Sequence, residues 1–217
     1  GISAYDIDQG NTGTCYFLGS LAATANDKPS LIEDMFTDNG DDTWSVRFYT
    51  SGKTDYVTVD KQVLTCSAGK YIYADDGAAN KQSVAGDNEL WVALAEKAYA
   101  QVNESGNIGQ QTATNYYGIS NQSSTGISWG STSNATRHIT GLDVSTDDLT
   151  SFSIFGMSPW GIDEDELIDL VNGDNIVTVG GFDASVATGT TSDPTLVTTA
   201  WSGHVWSLVD YNDGLFT

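Results

Sequence analysis

The chain has 217 residues, with 29 Asp and Glu against 8 Lys and Arg, a formal net charge of −21. No basic stripe exists to neutralise phosphates, which excludes nucleic acid and anionic membrane surfaces as partners. No apolar run approaches the roughly 18 residues that span a bilayer. Hydrophobic residues make up 39% of the chain, enough to pack one large domain or two small ones and to exclude global disorder.

The chain opens Gly-Ile-Ser, with neither an initiator Met nor a charged-then-apolar leader, and reads as a processed or excised piece of a longer protein with further domains. Its polar residues are mainly Asp, Ser, Thr, Asn and Gly. Such a surface is solubilising and suits a salt-adapted or extracellular protein, and it leaves the compartment open. Bound Ca2+ is the sharper explanation of so many carboxylates, but composition alone favours the plain one.

Phe17, Leu18, Leu21, Ala22 and Ala25 recur at helical spacing, which predicts a helix with Cys15 at or just before its first turn. Trp44 to Phe48 alternates as a strand entered through the turn-rich Asp38-Asn39-Gly40-Asp41-Asp42. That acidic turn lacks EF-hand spacing and is read as hairpin chemistry. Tyr56 to Val59 is the partner strand and Tyr71-Ile72-Tyr73 a third. Cys66, in an apolar patch, is read as a small buried hydrophobe. A strong helix follows, with Leu90, Trp91, Leu94, Ala95, Ala98, Tyr99 and Val102 on one face and Asp87 placed to cap it.

From about Asn103 to Thr136 the sequence is polar with scattered aromatics, the best candidate for a division of the chain. Beyond it, Asp163 to Val171 is a short helix with an acidic first turn, closed by Gly173. Strands are expected at Ile176 to Val179, Leu196 to Thr199 and His204 to Asp210, with a final hairpin at Tyr211-Asn212-Asp213-Gly214. The chain is therefore α+β, with a helix-rich N-terminal half (1–118) that carries the cysteine. The strand-rich C-terminal half (119–217) carries a histidine.

A thiol at a helix N-terminus is favoured as thiolate by the unpaired N–H groups there, and a neighbouring imidazole can take its proton and return it to a leaving amine. His204 follows the small residues Ser202 and Gly203, which leave room beside the ring. His138, in Arg137-His138-Ile139, reads as ordinary helix or loop surface. Gln9 lies six residues before Cys15, and a tight turn through Gly10 and Gly13 would set its amide beside the Cys15 N–H as a second oxyanion donor.

The segment Asp6-Ile7-Asp8-Gln9-Gly10-Asn11-Thr12-Gly13-Thr14-Cys15-Tyr16-Phe17-Leu18 closely resembles the active-site segment of the calpain family. Asn88-Glu89-Leu90-Trp91 through Glu96-Lys97-Ala98-Tyr99-Ala100 resembles the family's second conserved helix. Gly203-His204-Val205-Trp206-Ser207-Leu208 resembles its histidine segment, and Val57-Thr58-Val59-Asp60 a strand before its central loop. The resemblance implies a papain-like fold of two subdomains and a thiol endopeptidase acting on proteins or peptides. Cys15 would be its nucleophile, His204 its base and Gln9 its oxyanion donor. It also implies a Ca2+ site at Asp6 and Glu89 that would straighten the two halves and bring Cys15 and His204 within reach. Read without the resemblance, those two acids are a solvated face or a dipole complement.

One part of the pattern is not met. The family orients its imidazole with an Asn followed by Pro and Trp, and no Asn-Pro-Trp occurs here. If Asn212 and Asp213 are the turn, the residue opposite His204 falls roughly four positions past Thr217; if Asp213 and Gly214 turn, about six. Two other readings stay open: an inert, Ca2+-stabilised binding or structural module of a larger acidic protein, and a transglutaminase or acyltransferase on a related fold.

Overall fold

The structure, a computed structural model, describes residues 1–10, 12–65, 73–74, 90–115, 126–147, 162–181, 186–190, 193–197, 204–212 and 215–217. Helix and strand are mixed throughout. In chain order the elements are α1 (Cys15–Asp27), α2 (Pro29–Glu33), β1 (Phe36–Asp38), β2 (Thr43–Thr50), β3 (Lys53–Asp60), α3 (Trp91–Val102), α4 (Thr132–Thr140), α5 (Glu164–Asn172), β4 (Val177–Gly181), β5 (Val186–Thr190), β6 (Asp193–Val197), β7 (His204–Leu208), β8 (Tyr211–Asn212) and β9 (Leu215–Phe216).

Helix α1 is buried on nearly every side, from Cys15 to Ala25, which its small residues permit. Gly19, Ser20, Ala22 and Ala23 let neighbours approach closely. The buried hydroxyls turn back on the helix itself, Ser20 Oγ to the Tyr16 carbonyl at 2.8 Å and Thr24 Oγ1 to the Ser20 carbonyl at 2.7 Å. Against α1 pack α3, α4 and the three-stranded antiparallel sheet β1-β2-β3. In that sheet Trp44 pairs with Val59 and Val46 with Val57. The hairpin turns at Ser51 and Gly52, both with positive φ, which matches the twist of the two strands. Val46 and Phe48 point inward, as the period of two requires. Phe17, Phe48 and Tyr99 form the aromatic centre, with the Phe17 and Tyr99 rings stacked 4.1 Å apart. Such a pair adds about 1 kcal/mol to what the buried area contributes.

The polar stretch expected to divide the chain contributes to this same core. Ile108, Ile127, Ala135 and Ile139 belong to the cluster, the last two on α4, an element whose mostly polar sequence gave no helical signal. Ser131 caps α4 and Gly141, at positive φ, closes it. The boundary placed between residues 118 and 119 lies outside the described residues, as do Cys66, Tyr71-Ile72, Asp87 and Glu89.

In the C-terminal half, β4 pairs antiparallel with β7, setting Gly181 opposite His204 and Val179 opposite Trp206. This two-stranded ladder packs on α1. Asp163 caps α5 by accepting the Glu166 N–H at 2.9 Å. β8 pairs with β9, Tyr211 opposite Phe216 and Asn212 opposite Leu215. Among the described residues no helix is long and apolar enough to cross a membrane.

Candidate active site

Cys15 is the first residue of α1 and is 8% exposed. Burial pushes its thiol pKa up, and hydrogen bonding to the backbone of Val205, Tyr16 and Cys15 itself pulls it back down. The contact with Val205 matters most for the site, because Val205 follows His204 on β7. The packing of β7 on α1 therefore delivers the thiol to the strand that begins with the imidazole.

That packing depends on Gly19. It lies one turn after Cys15 on the same helix face, and a Cβ there would sit 3.1 Å from Val205 Cγ1 and 3.8 Å from the Val205 carbonyl oxygen. From the other side, a Cβ at Gly180 would lie 3.3 Å from Val205 Cγ2. Val205 is seated between two glycines.

His204 is half-buried, and its ring meets Trp206 edge-on at 5.0 Å between centroids. Burial pushes its pKa down. Both shifts favour the uncharged pair, thiol and neutral imidazole, near neutral pH. Gln9 is in the loop before α1, where its Nε2 donates to the Thr12 carbonyl at 2.6 Å. Asp6 forms a capping box with Ser3, whose N–H donates to Asp6 Oδ2 at 2.8 Å. The same oxygen accepts the Trp91 indole N–H at 3.1 Å, so Asp6 rests against the first turn of α3, the helix that Glu89 precedes. Among the described residues no three His, Cys, Asp or Glu side chains group to hold a metal.

His138 is not a surface residue. It is 8% exposed on α4, with Nδ1 hydrogen-bonded to the Tyr99 hydroxyl at 2.9 Å. Desolvation, with the nearby Arg137 charge, pushes its pKa down to about 4. The alternation of polar and apolar residues around Arg137 concealed which face of α4 packs inward.

Two residues near the start of α1 escaped the sequence reading. Glu96 on α3 is fully buried. One carboxylate oxygen accepts Thr12 Oγ1 at 2.9 Å and Thr14 Oγ1 at 2.5 Å, and the other accepts the Ala74 N–H at 3.0 Å. Its burial pushes its pKa up and these donors oppose the shift. The only signal was an acid on the apolar side of a helix. Trp129 donates its N–H to the Gly13 carbonyl at 2.8 Å and lays its indole against Gly13, while its own φ is +63°. A half-exposed aromatic in a left-handed backbone conformation is strained, and strain of this kind collects at functional sites.

Comparison with known proteins places the chain in a family. The model of the family described as "Calpain family cysteine protease" matches residues 1–141. The chain is 34% identical over 106 residues, 48% of its length, to the calpain-type cysteine protease DEK1 of Zea mays. It is 32% identical over 108 residues, 47% of its length, to calpain clp-1 of Caenorhabditis elegans, and 28% identical over 114 residues, again 47% of its length, to calpain-5 of Mus musculus. Those alignments span 4%, 13% and 16% of the three relatives, so the chain corresponds to a small part of each.

Proposed function

The chain belongs to the calpain family of cysteine proteases, and from that premise we propose that it is a cysteine endopeptidase acting on protein or peptide substrates. Cys15 is the nucleophile, His204 its base and Gln9 an oxyanion donor, in a papain-like arrangement of the two halves. The observation that supports this reading is the packing of β7, which begins with His204, against α1, which begins with Cys15, with Val205 close against Gly19.

Neutral His204 accepts the thiol proton as Cys15 Sγ bonds to the substrate carbonyl carbon, and the carbonyl electron pair moves onto oxygen. The Cys15 N–H, directed outward by the start of α1, donates to that oxyanion. Gln9 Nε2 joins it by leaving the Thr12 carbonyl. The imidazolium then protonates the departing amine as the C–N bond breaks, and water releases the acyl group from sulfur by the reverse sequence.

Ca2+ dependence belongs to the same proposal. Carboxylate oxygens are the donors Ca2+ prefers. Asp6 fits one ligand position, since its contact with Trp91 holds it against the start of α3, and Glu89 would supply another. When bound, the ion would tie the N-terminal segment to α3.

The test is cleavage of a fluorescently labelled unfolded protein by the wild-type chain, C15A and H204A, with Ca2+ and with a chelator. Cleavage that is lost in both variants and reduced by chelation supports the reading. No cleavage, with Cys15 alkylated no faster than Cys66, identifies an inert module instead.

A further inference from the structure

Among the described residues, three helical segments with Ser or Asp caps treat their N-termini in one way and α1 in another. Ser3, Ser131 and Asp163 have extended backbones, with ψ of 148°, 124° and −178°, and each accepts a backbone N–H of the turn it opens. That is the ordinary behaviour of a capping Ser, Thr or Asp. Thr14 occupies the same position before α1, with φ −103° and ψ 15°, and makes no side-chain cap bond. Its hydroxyl donates to Glu96 instead. A capping Thr14 would take the N–H of Tyr16 or Phe17. The Phe17 N–H is already on the Thr14 carbonyl at 2.9 Å, and the Tyr16 N–H, next along the chain from Cys15, takes no side-chain cap.

We infer that Glu96 is a positioning residue for Cys15: by engaging Thr14 and Thr12 it holds the preceding loop in a non-capping conformation and so leaves the first-turn N–H of Tyr16, the residue next to Cys15, clear of a side-chain cap. Burial makes the arrangement firm. With three donors on a fully buried carboxylate, rotation of Glu96 would leave polar groups unpaired, at a penalty larger than one helix cap recovers. In effect α3, through one acid, decides how α1 presents its N-terminus to the nucleophile.

The inference rests on the reading of Cys15 as nucleophile, and its test uses no peptide substrate. The rate of Cys15 alkylation by iodoacetamide is followed by mass spectrometry against pH, below the melting temperature of each variant. In E96A the released Thr14 caps α1, and alkylation at pH 8 falls about three- to tenfold, with the profile displaced to higher pH. E96Q retains an acceptor for both hydroxyls and stays within about threefold of wild type. E96A/T14V has no hydroxyl to cap with and returns to within about twofold. If E96A does not fold, T14N replaces it: Asn caps more strongly than Thr and slows alkylation with Glu96 in place. A folded E96A or T14N that reacts like wild type, or an E96A/T14V as slow as E96A, overturns the inference. A chain whose variants respond as stated but which cleaves no protein leaves the inference standing and removes the peptidase reading.

Discussion

Tyr99 and His138 are joined by a 2.9 Å hydrogen bond between the phenol and Nδ1, with both side chains buried behind α1. The bond commits one of the chain's two histidines to the core. His138 is held neutral with its pKa near 4, whereas the unfolded chain takes up a proton near pH 6.5. Between these values the unfolded state binds more protons, so stability is lost as pH falls from about 6.5 towards 4, by on the order of 2 kcal/mol. Replacing His138 with Asn keeps an acceptor near Nδ1 and removes the titration. Melting temperature measured from pH 7.5 to 4 is expected to fall less for H138N than for wild type; parallel curves would contradict this. H138N keeps Cys15 alkylation near the wild-type rate.

Stacked aromatics link α1 to the same core. Y99F leaves the imidazole without its buried partner, and destabilisation of about 1–3 kcal/mol is expected. F17A removes the ring that lies 4.1 Å from Tyr99 and is expected to lose about 3–5 kcal/mol. Denaturant titration of the two variants ranks them, and a Y99F as stable as wild type would show that the hydrogen bond contributes nothing.

The ionisation of the site follows from burial. With the Cys15 pKa raised and that of His204 lowered, the resting pair is uncharged. Alkylation of Cys15 should therefore rise along a single ionisation above the usual cysteine range, with no reactive plateau at mildly acidic pH. H204A is expected to change this profile little while abolishing cleavage. A plateau reaching down towards pH 5 would instead identify a standing thiolate–imidazolium pair.

Much of this was legible in the sequence where side-chain period and helix spacing carry the information. The strands at Trp44, Tyr56, Ile176 and His204 and the helices at Cys15, Leu90 and Asp163 form as their patterns require. The final hairpin takes the second of the two registers the sequence allows, with Asn212 opposite Leu215. What the sequence concealed depends on partners distant along the chain. Helix α4 has few apolar residues, and its burial comes from packing on α1, where Thr136 Oγ1 meets Ser20 Oγ at 3.0 Å. Glu96 sits in a segment whose resemblance to the family was clear, yet no pattern along α3 reveals that it reaches Thr12 and Thr14. Local sequence reports a cap residue; only the tertiary structure reports that its hydroxyl is engaged elsewhere.

The register of the last strands bears on the group that orients the imidazole. The Val209 N–H donates to the Thr217 carbonyl at 2.8 Å and the Thr217 N–H to the Asp210 carbonyl at 2.9 Å, so Val209 and Asp210 both face Thr217, as in a β-bulge. Pairing continued along β7 would set opposite His204 a residue about five positions past Thr217. Appending a strand of roughly ten residues with Asn at that position is expected to make the chain cleave protein faster than residues 1–217, and Ala in place of that Asn should remove the gain. Equal rates for the two chains would mean that no group beyond Thr217 assists.

The sharpest separation of fold from function lies at Gly19. Alanine is the better helix former by about 1 kcal/mol, so G19A favours α1 taken alone. Yet its methyl would lie 3.1 Å from Val205 Cγ1, closer than ordinary contact, and Val205 cannot retreat freely because Gly180 brings β4 close on its other side. Relief comes from displacing β7 by a few tenths of an ångström, and β7 carries His204. The helix gain and the contact strain offset each other in stability, whereas catalysis depends on placement alone. G19A is therefore expected to melt within a few degrees of wild type, with kcat reduced about tenfold and KM little changed. G19V, which adds bulk at the same place, should lose more of both. A G19A chain with wild-type kcat would show that the close seating of Val205 serves only to fill space, and that the approach of α1 to β7 does not set the geometry of the site.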